Sequence, residues 1–141
     1  MKVIACVDDH MGMCFNGRRV SRDRVVTEDI LKMTTDSTLW MAPESEKLFA
    51  DYLEQENRKD WKAVPDYLKM AGAGDYCFVE KNEIKEFESK IIEIVLYRWN
   101  RSYPADLVLD MDFSGWKMKE KTEFSGHSHE KITKEIYSRQ G

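Results

Sequence analysis

The sequence has little of what usually names a function directly. Among 141 residues there are three histidines and three cysteines. Cys6, Cys14 and Cys77 are odd in number and show no Cys-x-x-Cys spacing, and two of them sit inside apolar runs. That pattern reads as free, reduced core thiols, not as a disulfide framework or a metal knuckle. Long hydrophobic runs are also missing. Lys2-Val3-Ile4-Ala5-Cys6-Val7, directly after Met1, is too short for a signal peptide or a membrane span and reads as a buried strand. These absences lead to the expectation of a cytoplasmic protein without a membrane partner. Repeats, linkers and low-complexity segments are absent too, so residues 1–141 are expected to form a single domain.

What is present suits a folded α/β protein. Hydrophobic residues make up 42% of the chain, enough for a core without disulfides or metal. Charged residues make up 34% and the formal net charge is -4, which gives no global case for nucleic acid or an anionic membrane. Asp8-Asp9-His10 and Gly12 end the first strand, and Asn16-Gly17 marks a second turn. Ser21 is the expected N-cap of a helix over roughly 22–34, where Val25, Val26, Ile30 and Met33 keep helical spacing. Residues 38–41 read as a buried strand. Pro43 and Ser45 open a helix burying Leu48, Phe49, Tyr52 and Leu53. Residues 54–62 are polar and expected to loop. A short helix runs from Pro65 to Met70, a strand over 76–79, a short helix capped by Asn82 through Ser89, and the strongest strand over 91–99. Residues 107–109 are extended. Trp116–Phe124 and Ile132–Tyr137 alternate around the polar turn Ser125-Gly126-His127-Ser128-His129 and predict a C-terminal hairpin. The expected fold is therefore α/β: a mainly parallel sheet flanked by helices, with a C-terminal antiparallel hairpin.

This order of elements resembles the dihydrofolate reductase fold. Val3-Ile4-Ala5-Cys6-Val7-Asp8 followed by Gly12-Met13 looks like that family's first strand and the loop over its active site. Leu96-Tyr97, Asp106 and Asp112-Phe113-Ser114-Gly115-Trp116 are similar to its late strand and the approach to its last hairpin, which Phe124 to Tyr137 would form. The departures bear on function. The resemblance implies a Pro-Trp or similar pair after the first loop, but Asn16-Gly17-Arg18-Arg19-Val20 stands there. It implies an acid early in the first helix. Arg24 or a neighbour aligns with it, and Asp23 reaches it only with a register shift. Met41-Ala42-Pro43-Glu44-Ser45 replaces the implied Gly-Arg-Lys/His-Thr phosphate grip. Glu80-Lys81-Asn82 replaces the implied Gly-Gly turn that lets backbone meet a pyrophosphate. The segment 50–62 looks too short for the extra strand at the adenosine end. These departures argue against a working reductase and lead to the expectation of no nicotinamide cofactor.

Other motifs carry bland readings. Gly72-Ala73-Gly74 follows a helix and precedes a strand, the reverse of a dinucleotide turn, and reads as a helix stop. His127-Ser128-His129 lacks the further ligands of a metal shell, so no metal site is expected. Ser45 and Cys14 are candidate nucleophiles without a legible base and orienter. The tryptophans read as core, with Trp61 suspected of covering a ligand or partner. Arg18, Arg19, Arg22 and Arg24 form the densest charge cluster. Arginine forks suit phosphate or carboxylate, and four cations at a helix start favour no stability. The expected ligand site is therefore Phe15, Asn16, Arg18, Arg19, Arg22 and Asp23, taking an anionic, nucleotide-like small molecule. Two alternatives stand beside it. One is a phosphoester hydrolase using Asp8, Asp9, His10 and Asp23 as acids and bases. The other is an interaction module, or a homodimer, pairing through residues 54–62 or the open edge of the last hairpin.

Overall fold

A computed structural model describes residues 1–139; Gln140 and Gly141, included in the expected single-domain span, lie outside the described residues. The elements run β1 (Lys2–Val7), β2 (Gly12–Phe15), β3 (Arg18–Arg19), α1 (Arg24–Met33), β4 (Leu39–Met41), α2 (Glu46–Gln55), β5 (Trp61–Ala63), α3 (Tyr67–Met70), β6 (Tyr76–Val79), β7 (Glu93–Arg98), β8 (Leu107–Val108), β9 (Trp116–Phe124) and β10 (Ile132–Arg139). Single 3-10 turns at Pro43–Ser45, Lys85–Lys90 and Phe113–Gly115 join some of them.

Seven strands form the main sheet in the order β5-β4-β6-β1-β7-β10-β9. The first five pair in parallel, and β10 and β9 close the far side antiparallel. This is the expected mainly parallel sheet with a C-terminal hairpin. The central strands are apolar on both faces because helices or turns cover both faces. Along β1, Val3, Ala5 and Val7 enter one core and Ile4 the other; along β7, Ile94 and Leu96 oppose Val95 and Tyr97. Helices α1 and α2 add Val26, Ile30, Leu31, Phe49 and Leu53 to the second core, while α3 adds Tyr67 and Leu68 to the first. Each such fully buried aliphatic side chain stabilises the fold by about 1.5–3 kcal/mol relative to exposure.

A small antiparallel sheet, β3-β2-β8, lies beside the main one. Its hairpin turns on Asn16 and Gly17, both at positive φ (52° and 71°), the conformation a two-residue hairpin turn with matching twist requires. Arg18 and Arg19 thus lie on a strand, not in the expected loop.

Three local expectations are corrected. Helix α1 begins at Arg24 with Asp23 as its N-cap, two residues later than expected from Ser21; the Asp23 carboxylate accepts from Val25 N–H. The segment expected to loop contains the end of α2 and runs into the three-residue edge strand β5. Trp61 belongs to that strand: its indole donates to the Arg58 carbonyl at 3.0 Å and its ring packs on the second core. The segment after Asn82 forms the 3-10 turn Lys85–Lys90, not a capped α-helix.

Candidate functional site

Two buried aspartates organise the chain reversals beside the C-terminal ends of the central strands. Asp8 follows β1 and accepts from the backbone N–H groups of His10 (2.9 Å), Gly12 (2.7 Å) and Tyr103 (2.9 Å). Asp23 caps α1 and accepts from the N–H groups of Val25 (2.9 Å), His127 (2.9 Å) and Ser128 (2.8 Å). Burial favours protonation of both carboxyls, but these bonds, joined at Asp23 by one from the His129 ring, outweigh it and lower both below the ordinary range, Asp23 to about 2. Neither titrates near neutrality, and neither carries a proton to give. Both carboxylates hold the turns they close through these backbone N–H groups.

Asp23 has one further partner. Its Oδ2 lies 2.9 Å from Nδ1 of His129, whose ring is buried and stacked on Trp99 with centroids 4.6 Å apart. On the far side of the ring, Nε2 lies 2.9 Å from Ser21 Oγ and 3.2 Å from the Tyr103 hydroxyl. The expected polar turn thus delivers His129 into the interior. Gly126 permits that approach: a Cβ there would lie 2.5 Å from Asp23 Oδ2 and 2.7 Å from Ile132 Cδ1.

A second cross-link closes the neighbouring wall. Glu80, just past β6, accepts from Arg19 through Nε (2.5 Å) and Nη2 (3.0 Å), and from Ser45 Oγ (2.7 Å). Ser45 is buried, and its hydroxyl is committed to the Glu80 carboxylate. Burial raises the Cys14 thiol as well, and burial pushes Cys77 up to about 12, so both thiols stay protonated and inert.

Between the two clusters lies a small cavity of ≈ 20 Å³, lined by Arg19, Ser21, Asp23, Glu80 and Trp99 among others. It holds about one water and no larger ligand. The Trp99 indole N–H is buried and finds no acceptor among the described residues. Outside it opens a groove of ≈ 390 Å³ lined by Gly17, Arg18, Arg19, Ser21, Arg22, Glu44 and Lys81, a size that suits a small molecule. Of the expected ligand residues, Arg18, Arg19 and Arg22 line this groove. Phe15 and Asn16 sit exposed at the hairpin tip outside it, and Asp23 stands behind it. Arg19 is neutralised by Glu80, whereas Arg18, Arg22 and Lys81 have no ion-pair partner among the described residues. Ser21 and His129 went unrecognised in the sequence because one was read as a cap and the other as a solvated turn. No group of three metal-ligating side chains occurs among the described residues.

No family model and no curated protein matches the chain. Among solved structures, it is similar to a dihydrofolate reductase from Enterococcus faecalis complexed with NADP(H) and RAB-propyl: 12% identity, TM-score 0.67, over 99% of this chain and 96% of that one. The chain has a divergent dihydrofolate reductase-like fold that lacks clear cofactor motifs. The residues present do not fit a nicotinamide cofactor. Where the resemblance puts bare glycine backbone against a pyrophosphate, Glu80 places a carboxylate already joined to Arg19 and Ser45. Among the described residues, no helix is long and apolar enough to cross a membrane.

Proposed function

We propose that this protein, read as one domain over residues 1–141, binds an anionic, nucleotide-like small molecule in the groove beside the β2–β3 hairpin. The observation that carries this reading is the ≈ 390 Å³ groove in which Arg18, Arg22 and Lys81 face a single carboxylate, Glu44. Arginine forks bind phosphate oxygens bidentately, and unneutralised cations in a concave site attract anions. The fold supports small-molecule binding in general, because the similar reductase structure holds NADP(H). A protein interface at the last hairpin is the weaker reading. Its outer strand β9 presents Lys117, Lys119, Lys121, Glu120 and Glu123 to solvent, the charged pattern that discourages edge pairing between copies. Titration calorimetry against a panel of nucleoside mono-, di- and triphosphates tests the proposal. Binding of at least one phosphate-bearing compound, weakened about tenfold or more by Arg18→Ala or Arg22→Ala, is expected. Binding unchanged in both variants removes the groove from the reading.

A further inference from the structure

We propose that Ser21 is a nucleophilic serine, activated by His129 and oriented through Asp23, that cleaves carboxylic esters bearing an anionic group. The nucleophile, base and orienter stand in line: Ser21 Oγ to His129 Nε2 is 2.9 Å, and His129 Nδ1 to Asp23 Oδ2 is 2.9 Å. The chemistry of the partners fixes the tautomer. A carboxylate can only accept, so Nδ1 carries the ring proton and Nε2 presents its lone pair to Ser21. The Tyr103 hydroxyl lies farther from Nε2, at 3.2 Å, and also donates to Ser21 Oγ at 3.4 Å. The serine hydroxyl proton is thus the better placed for Nε2. Stacking on Trp99 holds the ring plane, and three backbone N–H groups hold the carboxylate. This is the arrangement that activates serine on unrelated folds, recognised by geometry and not by chain order.

Two features separate this cluster from a bond network that merely ties the hairpin to α1. Ser21 does not cap α1, because Asp23 does, so its hydroxyl is left to the histidine. Ser21 also lines the open groove, while its partners stay behind it: the side chains of His129 and Asp23 are 3% and 0% exposed. Of the three, only Ser21 lines the groove, so it is the member of the line that a substrate there can reach. The Tyr103 hydroxyl is a donor within reach of the developing oxyanion.

In the step proposed, a Ser21 Oγ lone pair attacks the ester carbonyl carbon and the carbonyl π pair moves onto oxygen. The hydroxyl proton passes to His129 Nε2. Collapse of the tetrahedral adduct breaks the bond to the leaving oxygen, which takes that proton and departs as the alcohol. Water attacks the acyl-serine with the same base, releasing the carboxylic acid and restoring Ser21. The anionic group of the substrate is the one part of this inference that rests on the groove reading above; the serine itself does not.

The test uses the full chain and a fluorophosphonate probe, with the adduct located by peptide mass spectrometry. The wild type is expected to be labelled at Ser21. Ser21→Ala, which removes one half-buried oxygen, loses the label with an unchanged circular dichroism spectrum. His129→Gln slows labelling by about 10²-fold or more, as loss of a general base should. Arg22→Ala raises KM for a nitrophenyl hemisuccinate by about tenfold or more, and by a clearly smaller factor for nitrophenyl acetate. An unlabelled wild type, or equal labelling rates in wild type and a folded His129→Gln variant, overturns the nucleophile. Equal KM effects on both esters overturn the anionic specificity. Nucleotide binding by calorimetry is read separately, so an unlabelled protein that still binds nucleotide loses only this inference.

Discussion

Asp8 and Asp23 are both buried carboxylates that gather backbone N–H groups from two distant parts of the chain. Asp8 joins its own turn to Tyr103, 95 residues away, and Asp23 joins the start of α1 to His127 and Ser128, 104 and 105 residues away. Both satisfy N–H groups that burial would otherwise leave unpaired. The difference is what lies beyond. Every hydrogen bond of Asp8 ends on backbone, so its effect stays structural. Asp23 has a fourth partner, the His129 ring, which passes its influence to a hydroxyl at the groove. A buried carboxylate cradle is therefore a stability device first, and it acquires a chemical role only where a side chain relays it outward.

Removing either carboxylate is the largest test of the structural half of this comparison. Asp8→Ala and Asp23→Ala each strand three backbone N–H groups in the interior and are expected to lose about 3–5 kcal/mol, read from urea unfolding midpoints. A loss confined to one of them breaks the parallel. The glycines that let the chain close on each carboxylate separate the two roles. A Cβ at Gly12 would lie 2.6 Å from Ala105 Cβ and 2.9 Å from Asp8 Oδ1. One at Gly126 would press on Asp23 and Ile132 instead. Gly12→Ala and Gly126→Ala should each cost about 1–3 kcal/mol through overpacking. Only Gly126→Ala should also slow fluorophosphonate labelling of Ser21, because only it displaces the carboxylate that orients His129.

Acid titration gives a third contrast. Asp23 has a folded value of about 2, depressed below the ordinary 3.8. A depressed carboxyl contributes stability above its unfolded value and loses it as pH falls through the folded one. Asp23 should therefore contribute about 2 kcal/mol at neutral pH, lost between roughly pH 5 and pH 2. Asp8 is shifted in the same direction, so the wild type should weaken steadily over that window. Asp23→Asn should flatten the slope measured by thermal unfolding at stepped pH. An unchanged slope would assign the acid sensitivity to other groups.

The parts legible in the sequence are those set by local pattern. Continuous apolar runs in β1, β6 and β7 and the alternation of β9 and β10 gave strands at the right places, because burial on two faces or one leaves those signatures. Strand β5 was missed because three residues carry no period. The start of α1 was misplaced because Ser21 and Asp23 are both good caps, and the choice between them is made by the distant turn at residues 126–128 that docks on Asp23. The arginine cluster was legible as charge. Which arginine is neutralised was not, since Glu80 lies 61 residues from Arg19. The Ser21–His129–Asp23 line was invisible for the same reason: its histidine is more than a hundred residues from its partners. In the sequence, His127 and His129 stand together only as an incomplete set of metal ligands.

The smallest expected effect on stability sharpens the contrast between closed and open charge. Arg19 ties β3 to Glu80, and through Glu80 to Ser45, within a partly buried network. Arg18 is exposed and has no such partner among the described residues. Arg19→Ala leaves the Glu80 carboxylate uncompensated and should destabilise the fold by several kcal/mol. Arg18→Ala removes a solvated cation and should change stability by less than about 0.5 kcal/mol. Affinity for a phosphate-bearing ligand should behave in the opposite sense, falling in Arg18→Ala while the fold is untouched. It should also fall with added salt, because the groove cations are screened where a buried pair is not. Unfolding midpoints and calorimetry on the same two proteins decide the matter. If Arg18→Ala lowers stability as much as Arg19→Ala, the exposed arginine is part of the scaffold and the groove loses its free charge.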